Sequence, residues 1–159
     1  MAMLVHAAFH IIGRKGYEIL IDQNIEKAKA FARLIDANAD FELITEPELN
    51  ILNYRYVPAE VQAKLDASSH QQQKEINQIL DRVNSRMQKQ QREAGKTFVS
   101  RTRFSQTKYG GEAVSVFRVV MGNPMTTMET LAAILAEQLD LATAKGTAEI
   151  IDQIASLDT

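Results

Sequence analysis

Phe41-Glu42-Leu43-Ile44-Thr45-Glu46-Pro47-Glu48-Leu49-Asn50-Ile51-Leu52-Asn53-Tyr54-Arg55-Tyr56-Val57 is the stretch that decides how this chain folds. Residues 41–44 alternate with the two-residue period of a strand, and Glu46-Pro47-Glu48 supplies a turn. Leu49 to Val57 is rich in β-formers, with Leu52, Tyr54 and Tyr56 on one face and Ile51, Asn53 and Arg55 on the other. Together they predict a β-hairpin. Pro58 closes it and opens a helix at its first turn, carrying Val61 and Leu65.

Upstream, Tyr17, Leu20, Ile21, Ile25, Ala28, Phe31, Ala32 and Ile35 recur at helical spacing, and Asn38 to Asp40 ends that helix. Gly13 to Gly16 interrupts the run before it. Met1 to Ile12 is apolar except for His6 and His10, too short to span a bilayer and without the basic region and cleavage site of a secretory signal. It reads as a helix that is apolar almost all round, which needs cover on every face. An obligate partner subunit would supply that cover; the expectation ranked first is that the chain is the back portion of a longer protein.

Downstream, Asp66 to Lys74 is almost wholly polar. Ser69 with Gln72 predicts a capping box for a helix whose inner face is Ile76, Ile79, Leu80, Val83 and Met87, ended by Gly95. Phe98 to Phe104 reads as a third strand, Tyr109-Gly110-Gly111 as a loop, and Ala113 to Met121 as a fourth strand stopped by Asn123-Pro124. Thr126 with Glu129 predicts a second capping box, opening a helix that ends near Leu141, and Lys145 to Leu157 forms a final short helix. Strands that arrive in pairs between long helices predict an α+β domain: a small, mostly antiparallel sheet of about four strands with helices packed on one face.

The 159 residues are 45% hydrophobic and 24% charged, an ordinary globular balance that argues against a disordered, collagenous or membrane-embedded chain. The absence of Cys rules out disulfides, thiolate nucleophiles and Cys-ligated zinc within it, and fits a cytoplasmic protein. A net charge of −2 provides no broad field for nucleic acid or anionic lipid, so neither is an expected partner.

Few residues stand out as chemistry. His6 and His10 have the four-residue spacing that can present two imidazoles to a metal, but no glutamate lies between them as zinc-protease chemistry requires; packed or interface histidines are expected, and no metal site. His70 reads as solvated. Arg82, Arg86, Lys89, Arg92, Lys96, Arg101 and Arg103 form a basic run without interleaved aromatics up to Lys96, which reads as a solvated face. Gly110-Gly111 lacks the partners of a phosphate loop, and Glu46 and Glu48 merely flank a turn proline. Arg118 differs, lying in Val116-Phe117-Arg118-Val119-Val120, where a guanidinium that cannot be neutralised needs an anion. Glu42 or Glu112 could be that anion, or a substrate carboxylate could; these residues alone leave the two readings level.

Three stretches carry a resemblance: Ile12-Gly13-Arg14-Lys15-Gly16-Tyr17-Glu18 with Leu20-Ile21-Asp22; Phe41 to Pro58; and Val116-Phe117-Arg118-Val119-Val120-Met121-Gly122-Asn123-Pro124 with Thr126-Thr127. Over about Ala2 to Gln138 the chain resembles the carboxy-terminal part of the group II pyridoxal phosphate-dependent amino-acid decarboxylases, nearest their bacterial aspartate, 2,4-diaminobutyrate and glutamate decarboxylase-like branch. The resemblance implies a helix over 1–14 that joins a missing pyridoxal phosphate-binding domain, and a carboxy-terminal small domain over 15–159 like that of fold-type I enzymes. It implies that Arg118 meets a substrate carboxylate and that Asn123-Pro124 shapes the exit into the next helix, with Thr126 in the same motif. The family's cofactor is held by a lysine that follows a histidine, and none of the nine lysines here does. No catalytic, cofactor-binding or metal-binding residue is therefore expected in this chain, which alone should be inactive. Its expected partners are the upstream domain and a second copy of the chain. A self-standing oligomerisation or interaction module is the competing expectation.

Overall fold

Hairpin register sets the positions of everything else. β1 (Phe41–Thr45) and β2 (Ile51–Tyr56) pair antiparallel, with Phe41 opposite Tyr56, Glu42 opposite Arg55 and Leu43 opposite Tyr54. β3 (Ser100–Ser105) and β4 (Ala113–Val120) form a second antiparallel pair, and β4 joins β2 to give the order β1-β2-β4-β3. Among the described residues five α-helices accompany the sheet: α1 (Ala2–Asp36), α2 (Ala59–Ala67), α3 (His70–Ala94), α4 (Met128–Thr143) and α5 (Lys145–Ala155). The computed structural model describes residues 2–158, so Met1 of the apolar N-terminal run lies outside the described residues. The architecture is the expected α+β layer with a four-stranded antiparallel sheet.

The core forms in two parts. In the larger, Phe31 and Ile35 of α1, Leu131 and Leu135 of α4 and Met87 of α3 close on Leu52, Tyr54 and Phe117 of the sheet. Tyr54 sits edge-on to Phe31, with ring centroids 5.6 Å apart, and contacts Phe41 and Phe117 as well. Its hydroxyl donates to Gln138 Oε1 at 3.0 Å, which satisfies the one polar atom this ring buries. The smaller part gathers Val61, Leu65, Ile76, Leu80, Val116 and Ile154 around Tyr109.

β2 and β4 pair only from Ile51 to Tyr54 against Phe117 to Val120. Past that point polar side chains of α3 replace the ladder. Asn84 accepts from Tyr56 N at 2.8 Å and donates to Tyr56 O at 3.0 Å, and Asp81 Oδ1 accepts from Ser115 N. Buried backbone groups must be paired, so these two residues are what lets the strands separate.

Several boundaries differ from the sequence expectation; α5, for example, ends at Ala155 rather than Leu157. Only Gly13 leaves helical geometry (φ 69°, ψ 167°), and Arg14 to Gly16 are helical, so α1 is one element kinked at a single residue. Arg14 and Lys15 both pair with Glu18 one turn on, which favours continuing the helix as soon as the left-handed glycine is passed. β3 begins at Ser100 rather than Phe98. The cap of α4 is Thr127, whose side chain accepts from Thr130 N at 3.2 Å, so the capping box expected from Thr126 and Glu129 does not form. The Ser69–Gln72 box does form, and Gly95 ends α3 in a left-handed conformation. No helix among the described residues is long and apolar enough to cross a membrane.

Candidate functional site

Two arginines divide the roles that sequence reasoning gave to one. Arg118 does lie on an inner strand, between β2 and β3, but its side chain is exposed rather than buried among apolar neighbours. The reason is period two. Phe117 and Val119 point with Tyr54 and Leu52 into the larger core, so Arg118 and Val120 point to the opposite face, where Val120 is also open. The internal anions proposed for it are taken: Glu42 by Arg55 at 2.7 Å and Glu112 by Lys74 at 2.8 Å. Among the described residues, no hydrogen bond or ion pair engages the Arg118 guanidinium.

Around Arg118 the sheet presents a short row. Asn53 on β2 and Ser100 on β3 are its cross-strand neighbours, and Ile51 with Val120 forms the next row, both partly exposed. Ser100 Oγ donates to Arg118 O at 2.7 Å, which fixes the backbone beneath the arginine. Asn53 is buried, and its Oδ1 meets no donor among the described residues. Arg118 lines a groove of about 220 Å³ with Phe98, Ser100, Val120 and Ile134. An unpaired planar fork beside an apolar wall is chemically suited to a carboxylate carried on an aliphatic or aromatic stem.

The exit from β4 is tightly specified. Asn50 holds both polar groups of Met121, through its own carbonyl and its Nδ2, each at 2.8 Å. Asn123 Oδ1 then accepts from Met125 N at 2.9 Å and its carbonyl accepts from Thr126 N, while Lys27 Nζ donates to Pro124 O at 2.6 Å. Asn123 and Pro124 thus lie in a turn tied to α1, and Thr126 leads into the Thr127 cap.

Arg55, quoted above only as part of a motif, is the fully buried arginine. Its Nε donates to Glu42 Oε2 and its Nη1 to Asn77 Oδ1 at 2.8 Å, and its Cζ lies 4.8 Å from the Tyr109 ring centroid. Glu42 also accepts from the Tyr109 hydroxyl at 2.6 Å and from Lys108 at 3.2 Å. Burial pushes the Glu42 carboxyl up, but Arg55, Tyr109 and Lys108 together outweigh it and hold it below the usual carboxylate value. Burial and Glu42 raise the Tyr109 phenol to about 12 against the opposing pull of Arg55. Burial alone would lower Lys108, but Glu42 and Asp66 more than reverse it, so this lysine is held as a cation. The signal in sequence was the hairpin itself, which sets Glu42 opposite Arg55.

A covalent carbonyl cofactor needs a lysine that can stand neutral in a desolvated site. Lys15, Lys29, Lys74, Lys89 and Lys108 each pair with a carboxylate, Lys27 and Lys64 donate to backbone carbonyls, and Lys96 and Lys145 are exposed. These side chains do not fit pyridoxal phosphate. His70 is exposed, as are all seven members of the basic run. His6 and His10, expected to be packed or at an interface, are exposed in this chain with their rings against each other.

The sheet order and its helices make this the fold of the carboxy-terminal small domain of pyridoxal phosphate-dependent decarboxylases. Mouse CSAD in its apo form superposes with a TM-score of 0.73 at 21% identity, over 86% of this chain and 26% of that one. The glutamate decarboxylase domain of diaminobutyrate-pyruvate transaminase and L-2,4-diaminobutyrate decarboxylase from Vibrio parahaemolyticus gives 0.65 at 18% identity, over 87% and 25%. In sequence, the chain is 52% identical over 142 residues to a protein of Aliivibrio fischeri (strain ATCC 700601 / ES114) named aspartate 1-decarboxylase, covering 89% of this chain and 26% of that protein. The chain thus spans about a quarter of the length of the proteins it matches. No family model matches it.

Proposed function

We propose that this chain is the carboxy-terminal portion of a pyridoxal phosphate-dependent decarboxylase that releases carbon dioxide from an acidic or diamino amino acid, and that Arg118 receives a substrate carboxylate. The observation that carries this reading is the unpaired guanidinium of Arg118, exposed on an inner strand while Glu42 and Glu112 pair with Arg55 and Lys74 instead. The 52% identity to a protein named aspartate 1-decarboxylase supports the acidic substrate. The cofactor, when bound, stabilises the carbanion left by departing carbon dioxide; its lysine belongs to the upstream domain. This chain's part is orientation. A bidentate arginine sets the angle of a carboxylate, and the Asn123-Pro124 turn with the Ser100 hydroxyl holds the strand that carries it. Alone, the chain has no decarboxylase activity.

The upstream domain covers the apolar side chains of the first turns of α1, among them Met3, Val5, Phe9 and Ile11, and a second copy of the enzyme completes a cytoplasmic homodimer. The same exposed residues favour the competing reading of a self-standing interaction module. Reading the gene upstream of codon 1 separates the two: an open frame encoding a lysine-bearing domain supports the decarboxylase, and a stop codon with a promoter at Met1 overturns it. In the complete enzyme Arg118→Lys keeps charge and loses the planar fork. It lowers kcat/KM by the equivalent of about 1.5 to 3 kcal/mol, the range for a charged hydrogen bond, and unchanged kinetics would remove Arg118 from the site.

A further inference from the structure

His6 and His10 take no part in the reading above. They stand four residues apart on α1, both exposed, with ring centroids 4.4 Å apart, planes at 77° and Nε2 atoms 3.1 Å from each other. We propose that these two histidines chelate one borderline transition-metal ion, of the zinc, nickel or copper(II) class, through their Nε2 atoms.

The distance carries the assignment. With metal–nitrogen bonds of about 2.0 to 2.1 Å, two donors 3.1 Å apart subtend about 98° at the metal, between the square-planar and tetrahedral angles. The helix supplies the spacing, because residues i and i+4 lie on one face one turn apart. No loop has to be ordered for the donors to converge. Two nitrogens facing each other without a metal leave one as donor and the other as acceptor; a shared cation takes both lone pairs once each ring carries its proton on Nδ1, and both rings have solvent for that proton.

The donor set also selects the class of ion. Imidazole suits zinc, nickel and copper, whereas magnesium and calcium need oxygen donors, and the first acidic residue of α1 is Glu18, more than two turns beyond His10. Water fills the remaining coordination positions. Affinity follows the order in which copper exceeds both nickel and zinc.

The test uses the 159-residue chain, titrated with nickel(II), copper(II) and zinc(II) chloride by calorimetry, beside His6→Gln, His10→Gln and the double variant His10→Gln with Ile11→His. The double variant keeps two histidines and destroys the shared face. One equivalent should bind at least tenfold more tightly to the parent chain than to each of the three variants. One equivalent of paramagnetic nickel should broaden the ring resonances of His6 and His10 while leaving His70 sharp. Equal affinity in the double variant, or broadening of His70 to the same degree, would overturn the assignment. Because no readout involves catalysis, the result is independent of whether the chain belongs to a decarboxylase.

Discussion

Removing either partner of the buried Glu42–Arg55 pair should destabilise the chain, and by unequal amounts. Arg55 is wholly buried and cannot shed its charge, and Glu42 is its one anionic partner among the described residues. Glu42→Gln therefore leaves an uncompensated buried cation, the case that costs about 3 to 5 kcal/mol, and it should fall at the upper end. Arg55→Met leaves Glu42 with the Tyr109 hydroxyl and Lys108 still in place and replaces the arginine stem with apolar volume, so about 3 kcal/mol is expected. Urea unfolding at pH 7 with a constant m-value reads both. Acid adds an independent measure. Glu42 has a folded pKa below its unfolded value, so its contribution is complete above the unfolded carboxylate value of about 4.3 and is lost as pH falls through the lower folded value. In Arg55→Met burial is less opposed and that folded value rises, so the variant should lose less stability than the parent between about pH 5 and pH 3. A Glu42→Gln effect smaller than that of Arg55→Met, or both below about 1 kcal/mol, would refute the account of this network.

Asn84→Ala unpairs the buried N and O of Tyr56 together, and chemical denaturation should show a loss of about 2 to 4 kcal/mol; a loss under 1 kcal/mol would mean the separated strands close or admit water at no cost. Gly95→Ala places a side chain at φ 68° where nothing else obstructs it, so it should lower stability by about 1 kcal/mol in thermal melts, with α3 otherwise intact by circular dichroism. Arg118→Leu should leave the unfolding midpoint of this chain within the equivalent of about 0.5 kcal/mol, because the guanidinium is exposed and unpaired; a larger loss would identify a structural partner.

How much was legible in the sequence follows from the range of the forces involved. The hairpin, the Ser69–Gln72 box and the Gly95 terminus are set by neighbours within a few residues, and local patterns carried them. The cap of α4 is also local, but two adjacent threonines compete for it, and Thr127 wins because its side chain reaches Thr130 N. Arg55 was hidden for another reason. Its alternation with Tyr54 and Tyr56 places it on the face opposite the main core, where sequence reasoning expects solvent. What buries it comes from distant segments: Asn77 on α3, and Tyr109, which packs over the guanidinium.

The same geometry bears on Arg118. An arginine in an apolar strand invites an internal carboxylate, and among the described residues the sheet buries one, Glu42. Cross-strand register decides which arginine meets it: Glu42 lies opposite Arg55, whereas Arg118 lies opposite Asn53, an uncharged side chain that offers no counter-ion. Exposure then makes the unpaired charge inexpensive, since water solvates it, and leaves all five of its N–H donors open to a ligand. A structural arginine would be recognised by partners and burial, both of which Arg55 has. Among the described residues Arg118 has neither, and it sits on a strand pinned on one side by Ser100 and at its end by Asn50, so its guanidinium is carried by a firmly held element and stays open to solvent or a ligand.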